Sequence, residues 1–331
     1  MNRAVRIGLS VAVSAVFLAF AVRGVDWNAA GAALAKAHYL YVVPILVLSV
    51  WSLYIRAQRW RILLRPVGTP AMRTLVAATN IGFMANMVLP LRVGEVIRPV
   101  LVSRKERQPL SGILATVLLE RIFDMFTILF LFGVSASLVS VSDEVRQWGY
   151  RLSGLAVLIG GTVALIRWQE RLALRLLQAV LKPFPARLTE PIDHFFRGFV
   201  QALEILDSPL TFVQLLGWSL YLWVMIAAQY YFGLIAFDLP MPWLLGSVVV
   251  TAIVAIAVSA PSAPGYIGAY QVGCTLSLAI FGVGKSEAFA YSIVLHLSQF
   301  VSVIAAGLYS LAREGMTLRQ IGGGPGDDAA A

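Results

Sequence analysis

A single cysteine, Cys274, stands in the 331 residues, so no internal disulfide can form. Histidine is nearly as scarce: His38, His194 and His296 are the three, and they lie far apart in the chain. No Asp-x-Asp, His/carboxylate cluster or activated nucleophile can be read from the sequence. That leaves no metal or cofactor to expect and argues against an enzyme such as a membrane-embedded transferase. Charge is also rare, at 13% of residues against 59% hydrophobic, with a mean hydropathy of +0.80. A soluble domain carries about 25% charged residues. A water-soluble globular fold is therefore excluded.

What is present is length without charge. Six stretches, about 7–23, 39–57, 110–140, 150–167, 209–234 and 288–312, read as helices that cross a bilayer. Residues 1–21 mimic a signal peptide, but a retained first helix is the expectation in a multispanning chain.

The net charge of +9 raises the question of a nucleic-acid partner, and its distribution answers it. With the N-terminus inside, eighteen of the 26 basic residues fall in inner loops, among them Arg56, Arg59, Arg61, Arg65 and Arg73. Five fall in outer loops: Arg23, Lys36, Arg146, Arg151 and Lys285. Arg92, Arg98 and Arg121 fall at membrane depth. This is the positive-inside bias, and it needs no nucleic acid. It predicts a multi-pass membrane protein with both termini cytoplasmic.

Two further apolar segments break before they can cross. Residues 74–89 carry Asn80 and Asn86 and stop at Pro90, and the apolar piece 94–102 is too short for a core of about 30 Å. Residues 243–260 stop at "PSAPGYIGAYQ", which contains Pro261, Pro264, Gly265 and Gly268, before a second piece at 269–282. Each reads as a re-entrant hairpin, the first open to the cytoplasm and the second to the outside. Non-helical backbone at that depth must be satisfied by protein or a wet cavity.

The two breaks align. "PLRVGEVIRP" and "PSAPGYIGAY" share Pro-x-x-x-Gly, with Gly94 on Gly265; registering the following spans on Ser111 and Ser286 puts Arg121 on His296 and Asp124 on Gln299. The predicted fold is thus an all-α integral membrane protein of six full spans and two oppositely oriented hairpins that form an inverted repeat, a recurring transporter plan. Its membrane domain covers 1–315, with repeat 1 at 74–140, repeat 2 at 243–312 and a cytoplasmic segment at 168–207. Residues 316–331 form a flexible tail. Within 168–207, Ile192, Phe195, Phe196, Phe199, Leu203 and Leu206 recur at helical spacing. Such a helix either lies on the cytoplasmic face of the membrane or packs on the bundle.

The polar residues of the spans fall in stripes. Thr116, Glu120, Asp124 and Thr127 share one helical face with Arg121 beside it, and Ser292, His296, Gln299 and Ser302 repeat the pattern in neutral form. The embedded charges, Arg92, Arg98 and Arg121 against Glu95, Glu120 and Asp124, sum to zero. An internal ion-pair lock and a lipid-phosphate site are both open readings. In the second, Arg92 and Arg98 meet the headgroup while Glu120 and Asp124 hold Arg121.

"NMVLPLRVGEVIRP", "LLERIFD" and "PSAPGYIGAYQ", in this order and spacing, resemble the flippase-like membrane domain of bacterial lysylphosphatidylglycerol synthases over nearly the whole chain. The resemblance implies a protein that binds a polar-headed lipid and moves it between leaflets. Family positions carried over are Pro90, Arg92, Gly94, Glu95, Arg98, Glu120, Arg121, Asp124, Pro264, Gly265 and Gly268. Gln271 stands where the family usually has glutamate and His296 where it often has arginine, so the second half carries less fixed charge. Gln271, His296 and Gln299 complete the expected lipid contacts. The expected partners are a membrane lipid and the membrane itself, with a homodimer or a cell-envelope protein compatible. A non-transporting envelope scaffold is the alternative function.

Overall fold

The computed structural model of the chain describes residues 16–89, 92–138, 143–259 and 264–316. Among them every regular element is a helix. Pro90, Pro261, most of the expected first span and the tail beyond 316 lie outside the described residues.

A helical stretch over 16–22 (α1) is followed by α2 (Trp27–Lys36), α3 (Val42–Leu63), α4 (Met72–Val88), α5 (Gly94–Glu106), α6 (Leu110–Leu138) and α7 (Asp143–Trp168). Then come α8 (Glu170–Leu181), α9 (Ala186–Leu203), α10 (Pro209–Ala236), α11 (Trp243–Ser259), α12 (Ala269–Ala279) and α13 (Lys285–Glu314). Among the described residues, three helical segments are long and apolar enough to cross a membrane: Tyr39–Leu63, Pro209–Ala236 and Lys285–Glu314. At 29 residues α6 has the length as well, but Glu120, Arg121 and Asp124 sit in its middle. The helix ends follow local chemistry. Asp26 accepts the first N–H groups of α2, and Gly315, at φ 64°, closes α13 by donating to the carbonyls of Ala312 and Leu311.

The chain divides into two compact units, with α3, α4, α5 and α10 each contributing to both. The first comprises 16–54, 76–98 and 224–316 of the described residues. Its main core joins Tyr230 and Leu234 of α10, Val250 and Val254 of α11, Tyr270, Cys274 and Leu278 of α12, and Tyr291 and Leu295 of α13. Helix α12 packs against both α11 and α13, so the short helix after the second break is covered by the helices that flank it in the chain. A second cluster seats α1 and α2 on Val272 and Phe289, and Lys285 closes the end of α1 by donating to the carbonyls of Phe20 and Arg23.

The second unit comprises 55–75 and 99–223. Here α6 packs against α7 and α9. A Cβ on Gly198 would lie 2.9 Å from the Cα of Gly112, so glycine on both helices permits the close crossing. Of the apolar stripe read from 168–207, Phe199 and Leu203 are buried in this contact. Helix α9 is therefore a packed helix of the bundle. The exposed amphipathic element is α8, which rests on α7 and α9 along one side only.

Candidate functional site

The expected site residues fall into two groups, one in each unit. Arg92, Glu95, Arg98, Gln271, His296 and Gln299 belong to the first, and Glu120, Arg121 and Asp124 to the second.

In the first unit the two chain breaks meet. Helices α4 and α5 cross where Gly82 faces Gly94, and a Cβ on Gly94 would run into the Gly82 carbonyl. Asn86 Oδ1 accepts the Gly94 N–H at 2.8 Å, so the buried asparagine of α4 caps the first turn of α5. Arg92 sits just before that turn with a φ of 52°, left-handed and rare for a side chain other than glycine. From there its guanidinium donates to the carbonyl of Val258 at the end of α11 and lies 5.3 Å from the Tyr266 ring centroid. The second break is left-handed too, at Gly265 (φ 67°), Tyr266 (60°) and Gly268 (88°). A Cβ on Gly265 would stand 3.2 Å from the carbonyl oxygen of Met87, so the second break also touches the end of α4. Glu95 lies 3.7 Å from Arg92, and both side chains are part-exposed. Arg98 is buried, its guanidinium 5.6 Å from the Phe83 ring centroid and its stem over Gly82.

Gln271 and His296 hold the second break in shape. Gln271 Oε1 accepts the N–H of Gly268 at 2.8 Å, which turns its amide NH2 toward His296 Nδ1 at 2.9 Å. Nδ1 is then the acceptor, and Nε2 carries the proton donated to the Gly265 carbonyl at 2.7 Å. The imidazole is neutral and stacks on Tyr270 at 4.5 Å. Both residues spend their polar atoms on each other and on the backbone, which makes them clamps of the loop. Gln299 donates to Gln229, which also accepts from Ser49, and Asn80 donates to Ser310. The neutral stripe of α13 thus ties helices together.

In the second unit the carboxylates of α6 face an arginine that the sequence reading placed in a cytoplasmic loop. Arg59 lies inside α3 with no side-chain exposure; its two terminal nitrogens reach Glu120 Oε1 at 3.2 Å and Asp124 Oδ1 at 2.6 Å. Ser219 accepts from the same guanidinium, and Trp223 donates to Asp124. Arg121 approaches the pair from the other side, 2.9 Å from Glu120 and 3.2 Å from Asp124. Arg56, also assigned to the loop, comes within 4.0 Å of Asp124. The neutral balance of six embedded charges is therefore corrected. Three arginines surround two carboxylates in this unit, an excess of one positive charge. The missed signal was the apolar run that continues past residue 57 through Trp60, Ile62 and Leu63, which keeps Arg56 and Arg59 on a helix. Trp60 fixes that helix by donating to Thr116 at 2.9 Å.

Among the described residues no group of three or more His, Cys, Asp or Glu side chains could hold a metal ion. The long apolar helices, the broken ones and the buried ion pairs define a multi-pass, all-helical membrane protein. The chain belongs to the family described as the lysylphosphatidylglycerol synthase TM region, whose family model matches residues 7–307. It is 24% identical to a protein of Haloferax volcanii named glycosyltransferase AglD, over 94% of this chain and 55% of that one. It spans only about half the length of that relative. It is also 24% identical to the UPF0104 membrane protein MJ1078 of Methanocaldococcus jannaschii, over 67% of this chain and 90% of the other.

Proposed function

We propose that this chain is a lipid transporter that binds the phosphate-bearing headgroup of a phospholipid or polyprenyl-type lipid at the paired breaks and moves it between leaflets. One observation carries the reading: Arg92 of the first break bonds the Val258 carbonyl at the end of α11, where the second break begins, and lies over Tyr266 of that break. A part-exposed guanidinium at the meeting point of two broken helices suits a phosphate, because its planar fork can exchange a carbonyl or carboxylate for phosphate oxygens. Arg92 and Arg98 against Glu95 leave one positive charge in excess there, fit for one anionic group.

The inverted repeat is supported by element spacing. Helix α11 begins and ends 171 positions after α4, and Gly265 stands 171 after Gly94. Helix α13 begins 175 after α6, the same separation as Arg121 from His296 and Asp124 from Gln299. Six spans, two opposed hairpins, cytoplasmic termini and a place in the bacterial inner membrane complete the proposal. The relative named a glycosyltransferase brings a sugar-bearing lipid carrier into the headgroup class to be tried. Chemistry by this chain is not part of the reading.

The test is movement of fluorescent lipid across reconstituted vesicles, paired with mass spectrometry of lipid retained on purified protein. Arg92→Ala should lower abundance and abolish movement; adding Glu95→Ala should restore abundance while movement stays lost. Recovery of movement in that double variant, or retention of bulk lipid only, would refute a phosphate-binding Arg92 and favour a scaffold. A retained reaction product would favour a transferase.

A further inference from the structure

Helix α8 carries three sectors along its length. Ala173, Leu174, Leu177 and Leu181 form its half-buried side, the one turned to the unit. On the open side Leu172, Leu176 and Val180 recur every fourth residue, and Phe184 continues the row past the helix end. These four side chains are 51–65% exposed. Between the two apolar sectors runs a polar edge of Arg171, Arg175, Gln178 and Lys182, all exposed.

The position of α8 in the chain says where that open face lies. Helix α7 ends in an apolar stretch, Gly154–Trp168. Trp168 is 83% exposed at its last residue, the place where tryptophan marks a membrane–water boundary. Gln169 then leaves helical geometry (φ −114°, ψ 42°), and α8 starts at that level. Arg167, beside the same boundary, is held by Asp207 and by Glu170 at 3.1 Å.

From this juxtaposition we infer that α8 is an in-plane anchor for an anionic membrane surface: Leu172, Leu176, Val180 and Phe184 enter the headgroup–acyl boundary, and Arg171, Arg175 and Lys182 meet lipid phosphates. The apolar row alone would suit a second protein equally well. The basic edge beside it selects the anionic leaflet, since a cationic flank on an apolar stripe complements acyl chain and phosphate together. The inference is independent of lipid transport, because it concerns the second unit only and none of the residues at the breaks.

Single cysteines at Leu176 and Gln178, in the full chain carrying Cys274→Ala, would be labelled with an environment-sensitive fluorophore. The protein would be reconstituted in phosphatidylcholine vesicles, with and without phosphatidylglycerol. In anionic vesicles the label at 176 should shift blue, be quenched by headgroup-level nitroxide lipid and resist iodide, while the label at 178 stays more accessible to iodide. Combining Arg171→Gln, Arg175→Gln and Lys182→Gln should remove the difference between the two vesicle types. Equal iodide access at 176 and 178 would overturn the inference, placing the helix in water. So would protection at 176 without nitroxide quenching, which would mean that protein covers the stripe. Quenching at 176 independent of lipid charge would overturn the anionic selectivity.

Discussion

Arg59 should be the most costly single arginine to remove. It is fully buried and bonds Glu120 and Asp124 at 3.2 and 2.6 Å. Deleting one partner of a buried ion pair costs about 3–5 kcal/mol, because the remaining charge stays desolvated. The lower end applies here, since Arg121 still reaches both carboxylates and Trp223 still donates to Asp124. Arg59→Met should therefore lose about 3 kcal/mol, roughly a hundredfold in the unfolding equilibrium, a large part of the ~5–15 kcal/mol that holds a typical protein folded. Arg59→Lys should recover part of the loss, because an ammonium cannot fork to both carboxylates. Adding Asp124→Asn to Arg59→Met should cost less than the two single changes together by about 0.5–3 kcal/mol. The assay is reversible unfolding of purified protein in mixed micelles. An Arg59→Met protein as stable as the parent, or strict additivity in the double variant, would rule out a stabilising buried ion pair at Arg59.

Gly94→Ala should destabilise by about 1–3 kcal/mol, because its methyl group meets the Gly82 carbonyl at the crossing of α4 and α5. Gly265→Ala should cost about 1–2 kcal/mol through its left-handed φ of 67°. Unchanged unfolding midpoints in both variants would refute the crowding argument. The Arg167 guanidinium holds the Asp207 carboxyl below the usual carboxylate range. A depressed folded value stabilises above the ordinary aspartate pKa of about 3.9, and the contribution fades as pH falls through the lowered one. Asp207→Asn should thus leave the stability profile between pH 5 and 8 parallel to the parent's and flatten only its acid limb. A pH-dependent divergence near neutrality would contradict that assignment.

The helical class and three of the expected spans, those at 39–57, 209–234 and 288–312, were legible because bilayer physics writes them in runs of apolar residues. The breaks were visible at Pro90, Gly94 and Gly265 because proline and glycine punctuate helices wherever they stand. The exposed face of α8 was harder to place, since α9 offers a longer apolar stripe. Its packing against α6 at Gly198 and Gly112, with Phe199 and Leu203 buried, shows that α9 belongs to the bundle. The burial of Arg59 was hidden for a different reason. The positive-inside rule counts every arginine beyond a span as loop, and four of them crowd "RAQRWRILLR" at the end of α3. Only tertiary packing distinguishes Arg59, which faces Glu120, from exposed Arg61 two positions on.

The pairing of Arg59 also changes what the arginines of the first break are available to do. If Arg92, Arg98 and Arg121 had only Glu95, Glu120 and Asp124 as partners, every embedded charge would be matched and an anion would have to displace a carboxylate. In the second unit, Glu120 and Asp124 are already held by Arg59 and Arg121. In the first, Glu95 lies 3.7 Å from Arg92, a weak pair between part-exposed groups. Gln271 and His296 at the second break add no charge: Gln271 is neutral, and His296 Nδ1 accepts from it. On the proposed reading, a phosphate at the first break would displace the Val258 carbonyl and the weak Glu95 contact of Arg92 rather than a buried carboxylate. A phosphate-binding site requires contacts that can be exchanged in this way, whereas a tightly matched lock such as the one around Arg59 would hold its arginines in place.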